Sequence, residues 1–119
     1  SMTDRLNPRP IGFIKHDKEV LRLSLGSYQN NGRIAVMLHD SEGCPYATIS
    51  KNIPELTIDG DQFFVNWYNL TPQLLQALSD CGFFEDTGQR VKPSGSYVEL
   101  PLWGMKNIIT AKHISTYEE

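Results

Sequence analysis

The chain has 119 residues, 39% of them hydrophobic and 21% charged, with a formal net charge of −3. Such a length suits one globular domain that buries roughly two thirds of its unfolded surface, and no apolar run approaches the ~20 residues of a membrane span. The acidic balance counts against a non-specific nucleic-acid binder, which needs a basic face to release counterions, while 14 scattered acidic residues do not make the dense surface of a DNA mimic.

Ser1-Met2 reads as a cloning remnant before a native start, and the polar Thr3-Asp4-Arg5 lacks the apolar core of a signal peptide, so a cytoplasmic protein is expected. Cys44 and Cys81 are then expected to be reduced. Asn7-Pro8-Arg9-Pro10 is stiff and extended because each proline fixes its own φ and biases its predecessor away from helix; residues 1–10 are predicted to form an extended arm or an edge.

From Glu19 to Tyr28, Leu21, Leu23 and Leu25 alternate with Arg22 and Ser24, the pattern of a strand with one dry face. Asn30-Asn31-Gly32 predicts a tight hairpin with positive φ at its centre, returning through Arg33 to His39. Asp40-Ser41-Glu42-Gly43 makes a second turn, and Tyr46 to Ser50 completes an antiparallel meander, which Asn52-Ile53-Pro54 breaks. After a polar connection from Glu55 to Asp61, Phe63-Phe64-Val65-Asn66-Trp67-Tyr68 predicts an aromatic strand.

Asn69-Leu70-Thr71-Pro72 then starts a helix, since threonine caps free amides and proline suits the first turn. Leu74, Leu75, Leu78 and Cys81 share its apolar face, and Gly82 supplies the left-handed residue that ends it, with Phe83 placed to fold back on Leu78. Glu85-Asp86-Thr87-Gly88 and Pro93-Ser94-Gly95 read as turns. A strand follows at Ser96 to Leu100, with Pro101 ending its pairing. Asn107 to Ile114 has the residues of a last strand, and residues 115–119 are expected to fray. The whole, 1–119, is predicted as a single α+β domain: an antiparallel sheet of about five strands with one main helix packed on one face.

The succession Gly43-Cys44-Pro45-Tyr46-Ala47-Thr48-Ile49-Ser50, Asn52-Ile53-Pro54-Glu55, Phe63-Phe64-Val65 and Phe84-Glu85-Asp86-Thr87-Gly88 resembles a short domain family of unassigned function carried by phages, plasmids and integrated mobile elements of bacteria. The likeness runs from about Leu21 to Trp103. It implies an origin more than an activity, since that family hands over no reaction and no catalytic residue. Small accessory proteins of mobile elements are often binders that blunt host defences or adjust transfer, which favours such a role by analogy.

The densest chemistry lies in His39-Asp40-Ser41-Glu42-Gly43-Cys44, with an imidazole, two carboxylates and a thiol in one turn. Zinc ligands usually arrive as closely spaced Cys or His pairs, a spacing missing here and at His16 and His113; a catalytic thiol needs thiolate stabilisation and an oxyanion hole. The ordinary reading is a polar turn. Glu85-Asp86 and Asp59 with Asp61 offer paired acids, yet without the alternating oxygens of a calcium loop, and the strand-to-helix junction is not a phosphate loop. No catalytic, cofactor or metal residue is therefore assigned.

The aromatic strand is apolar on both parities, with Phe63, Val65 and Trp67 one way and Phe64 and Tyr68 the other. One face is expected on the helix and the other against Trp103 and Ile109, or exposed as a patch for a second copy or another protein. Phe64, Tyr68 and Trp103 are the candidate interaction surface. The reading is a non-enzymatic accessory protein of a phage or mobile element that binds a host or element-encoded protein, with a host defence complex as one target. It expects no membrane, no cofactor and little nucleic-acid binding, and leaves a homodimer open. The rivals are a small metal- or cysteine-dependent enzyme using His39, Asp40 and Cys44, and a weak nucleic-acid binder using Arg9, Lys15 and Arg33.

Overall fold

The computed structural model describes residues 9–106. Two four-stranded antiparallel sheets contain β1 (Arg9–His16), β2 (Glu19–Ser27), β3 (Ile34–His39) and β4 (Pro45–Thr48) in the order β1-β2-β3-β4, and β5 (Ser50–Lys51), β6 (Gln62–Val65), β7 (Phe84–Val91) and β8 (Leu100–Met105) in the order β5-β6-β8-β7. The α+β class with one α-helix among the described residues is as expected, but these residues form eight strands in two sheets where one sheet of about five was expected. β4 and β5 are one stretch of chain bent at Ile49, whose amide donates to Val36 O at 2.8 Å. Ser50 pins the corner: its Oγ accepts the Val36 amide at 2.9 Å and lies 2.9 Å from Tyr28 Oη. The chain thus passes from one sheet into the other without a loop.

The first strand is the main addition. Arg9 and Pro10, expected in an arm or an edge, open edge strand β1, which turns into β2 through Asp17 and Lys18, both at positive φ (52° and 67°) without a glycine. The next hairpin stands where Asn-Gly places it, but its loop is longer than the tight turn: the Tyr28 amide donates to Arg33 O, and Gly32 alone there takes positive φ.

The aromatic strand ends at Val65, and Trp67–Asn69 forms a 3-10 turn, so Trp67 does not share the face of Phe63 and Val65 as expected. Helix α1 (Pro72–Asp80) then begins under Thr71, whose Oγ1 accepts the Leu74 amide at 3.1 Å, and ends before Gly82 at φ +89°. It buries Leu74 and Leu78 and packs on β1 and β7, one strand from each sheet, rather than lying on one sheet face. Phe83 reinforces this seam: a Cβ on Gly12 of β1 would meet Phe83 Cζ at 2.5 Å, so the ring needs a glycine beneath it.

Beyond the helix two expectations are corrected. Glu85 to Gly88 belong to β7, where the register slips between Asp86 and Arg90 in a bulge, with Gly88 at φ +86°. The last described strand runs Leu100–Met105 rather than Ser96 to Leu100, and Pro101 sits inside it. Proline is tolerated there because the pairing of β6 with β8 stops at Leu102, and on the other side Pro101 faces Arg90, where the β7 bulge ends. The strand expected at Asn107 to Ile114, with the arm 1–8 and the tail 115–119, falls outside the described residues.

Two apolar clusters result. The larger joins Leu21, Leu23, Leu25, Val36 and Leu38 of the first sheet to Phe63, Val65, Phe84 and Trp103 of the second, with Leu74 and Leu78 from α1. The smaller lies on the other side of the second sheet, where Ile53, Phe64, Leu100 and Leu102 are roofed by Leu56, Ile58 and Val98. Both faces of the aromatic strand are covered, the second by two loops rather than by Trp103, which lies in the larger cluster; Ile109 falls outside the described residues.

Candidate functional site

Phe64 is 1% exposed and Trp103 5%, so two of the three residues proposed for the interaction surface are core. Register explains Trp103: it pairs with Phe63 and therefore shares its inward face, where it meets the Phe63 and Phe84 rings at centroid distances of 6.3 and 5.8 Å. Tyr68, the third residue, is 40% exposed and stands on a site that the structure assembles from three separate segments.

That site is a shallow groove of about 240 Å³ between the end of β5, the 3-10 turn and the loop joining β7 to β8, lined by Lys51, Asn52, Glu55, Tyr68, Pro93 and Val98 among others. Lys51 Nζ donates to Tyr68 Oη at 2.8 Å and lies 5.5 Å from the ring centroid, fixing the phenol by charge and face together. Trp67 meets Tyr68 edge to face at 6.2 Å and donates Nε1–H to Glu99 O at 2.7 Å, which ties the turn to the β7–β8 loop. Tyr97, on that same loop, is 97% exposed.

The opposite wall is braced from the first sheet. Arg33 donates to Ile53 O at 2.7 Å and to Leu56 O, and Asn52 exchanges side-chain hydrogen bonds with Asn30 and Asn31 at 3.0 and 2.9 Å. Arg33, considered as a phosphate contact, is thus engaged in holding a loop. The sequence reading missed Lys51, Trp67 and Tyr97 as surface groups. A tyrosine directly after Pro93-Ser94-Gly95-Ser96 was the available signal, because turn chemistry beside an aromatic places the ring in solvent.

The polar turn after β3 is ordered by itself. Asp40 Oδ1 accepts the amides of Glu42 and Cys44, both at 2.9 Å, an Asx turn in which the carboxylate replaces backbone partners. Asp40, Glu42 and Cys44 place potential ligand atoms within 4.8 Å of one another, whereas His39 is buried on the sheet and is not part of that group. Cys44 and Cys81 are both free thiols. Burial pushes the Cys81 thiol above its ordinary range, and its Sγ lies 3.1 Å from Leu78 O as a helix-end donor, the opposite of a reactive thiolate.

The acids Glu85 and Asp86 do not converge on a cation position either. Asp86 receives both guanidinium nitrogens of Arg90 at 2.9 and 2.8 Å, and this hydrogen bonding holds its carboxyl below the usual range. Thr87 Oγ1 donates to Leu102 O at 2.7 Å and accepts the Gln89 amide, so these residues brace the bulge.

Among the described residues no helix is long and apolar enough to cross a membrane. Compared with protein-family models, with curated proteins and with solved structures, the chain finds no match. The likeness to the mobile-element family therefore rests on the motifs themselves. One of them, Asn52-Ile53-Pro54-Glu55, supplies a wall of the groove.

Proposed function

We propose that the chain is a non-enzymatic, protein-binding accessory domain of a phage or other mobile element, acting by covering a surface of a host or element-encoded protein such as a defence complex. The observation that supports this most is the exposed Tyr68 in a braced groove, with Trp67 packed against it and Tyr97 in solvent on the loop whose Ser96 and Val98 form another wall. Tyrosine and tryptophan are the residues in which binding energy concentrates at interfaces, since each buries a large ring with little loss of rotamer freedom while its polar edge tolerates water when unbound. Tyr97 makes the point sharply, because a ring 97% exposed contributes next to nothing to folding. The mobile-element origin is carried by the sequence resemblance.

Affinity capture from a bacterial host lysate, compared between the parent and the Tyr68→Ala and Tyr97→Ala variants, tests the reading. A specific partner is expected whose recovery falls ~10-fold or more in either variant while the melting temperature stays put. Recovery that is undiminished in the double variant removes the groove from the interface, and with it this proposal.

A further inference from the structure

We propose that the outward face of the first sheet holds an oxyanion, a phosphate or a carboxylate, on Arg22, Ser24 and His39. Leu21, Leu23 and Leu25 of β2 enter the core, so Arg22 and Ser24 stand on the opposite face. The register sets His39 of β3 directly across from Arg22, with Ser24 two residues along, which makes the three side chains neighbours on one patch. Each carries a polar atom that is shut off from solvent and has no hydrogen-bond partner: Arg22 Nε, Ser24 Oγ and His39 Nδ1. Ser24 is 1% exposed and His39 9%, so solvent does not satisfy them.

Buried polar atoms are almost always hydrogen-bonded, and a donor such as the Arg22 Nε–H closed off from water without a partner is unfavourable. The register brings the three onto neighbouring positions of one face, where a single ligand would satisfy them together. The chemistry of the set suits an anion: the guanidinium Nε–H can only donate, the serine hydroxyl can donate, and the imidazole donates in the Nδ1–H tautomer that the proposal requires, and a charge-assisted donor of the first kind favours phosphate and carboxylate. Lys15 lies on the same face, and the described strand positions of that face carry no carboxylate, although the whole chain is acidic at −3. Asp40, next to His39, directs Oδ1 to the amides of Glu42 and Cys44. Phe13, opposite Arg22 in the register and 68% exposed, provides an apolar flank for whatever carries the anion. Arg22 is only half-buried and forms the entrance.

Amide and arginine side-chain N–H resonances of the full chain, followed while inorganic phosphate or acetate is added at constant ionic strength, test this directly. The expected result is a saturable shift of the Arg22 Nε–H and of the amides near Ser24 and His39, with a matching rise in melting temperature, and affinity weakened ~10-fold or more in Ser24→Ala. Arg22→Met should lose the response to anions yet melt higher than the parent in anion-free buffer, because it removes a closed-off donor that has no partner, an effect that an arginine with a merely structural role would not give. A Glu118→Gln/Glu119→Gln chain separates the two sources of oxyanion: a response that appears only there assigns the patch to the chain's own terminal carboxylates. No saturable response in either chain, or an Arg22→Met variant that melts lower and still responds to phosphate, overturns the proposal.

Discussion

Phe64→Ala probes the link between the small second cluster and the groove above it. Phe64 is 1% exposed at the centre of the second sheet, paired with Lys51 on one side and Leu102 on the other, and its ring lies beneath Ile53, Leu56, Ile58 and Val98. Phenylalanine-to-alanine changes in cores cost ~3–5 kcal/mol; here the sheet side cannot collapse but the two loops can settle inward, which places the expected loss at ~3–4 kcal/mol. That is a large part of the stability of a small domain, so Phe64→Leu, expected to cost ~1 kcal/mol, serves if the alanine variant does not fold. Urea unfolding measures the loss, and amide exchange measured alongside should rise in the loops carrying Ile53 to Ile58 and Ser96 to Val98 before it rises in β2 and β3. A midpoint change of under ~0.5 kcal/mol for both variants, or a full loss with both loops as protected as before, would refute the idea that this ring holds the groove in shape.

Leu78→Ala removes a fully buried side chain from the seam between the sheets and should cost ~2–5 kcal/mol in denaturant unfolding, an unchanged midpoint meaning that α1 does not seal that seam. Gly82→Ala should lose at least ~1 kcal/mol of stability although its added methyl meets nothing within 4 Å, because the penalty lies in the backbone at φ +89°. Asp86→Asn should be mildly destabilising at neutral pH. Its carboxyl pKa is depressed in the fold, so the stability it adds is present above the unfolded carboxylate pKa and is lost as pH falls through the lower folded value. The two chains should therefore converge in melting temperature in acid, and a gap that persists there contradicts the ion pair as its source. Since both side chains are largely solvated, the gap at neutral pH should also shrink with salt.

The local signals in this chain were legible because each is complete within a few residues. Thr71-Pro72 starts α1 and Gly82 ends it wherever the helix docks, Asp40 to Gly43 turns the chain by its own hydrogen bonds, and the leucines of β2 declare their dry face by alternation. Where proline chemistry obscures the pattern, as at Arg9 and Pro10, arm and edge strand stay equally open. A proline lacks an amide but tolerates an unpaired edge, so the same residue fits both states. The groove was less legible than the fold. Trp67 and Tyr68 look alike with Phe63 and Phe64 in a β-prone run, and only the break at Asn66, whose amide goes to Ile49 O, separates core rings from surface rings.

The amino-acid sequence by itself determined the helix with both its ends, the turns at 30–32 and 40–43 with the hairpins around them, and the α+β class, for these depend on φ preferences and on the spacing of apolar residues along a short stretch. Tertiary structure decided the rest: the bend at Ile49 that carries one strand from the first sheet into the second, the insertion of β8 between β6 and β7, and the burial of Phe64 and Trp103. Each joins residues far apart in the chain, where the gain comes from pairing and packing surfaces that no local pattern names. Whether Trp103 becomes an anchor for a partner or a wall of the core is set by its register with Phe63, and that register exists only once the two strands have met.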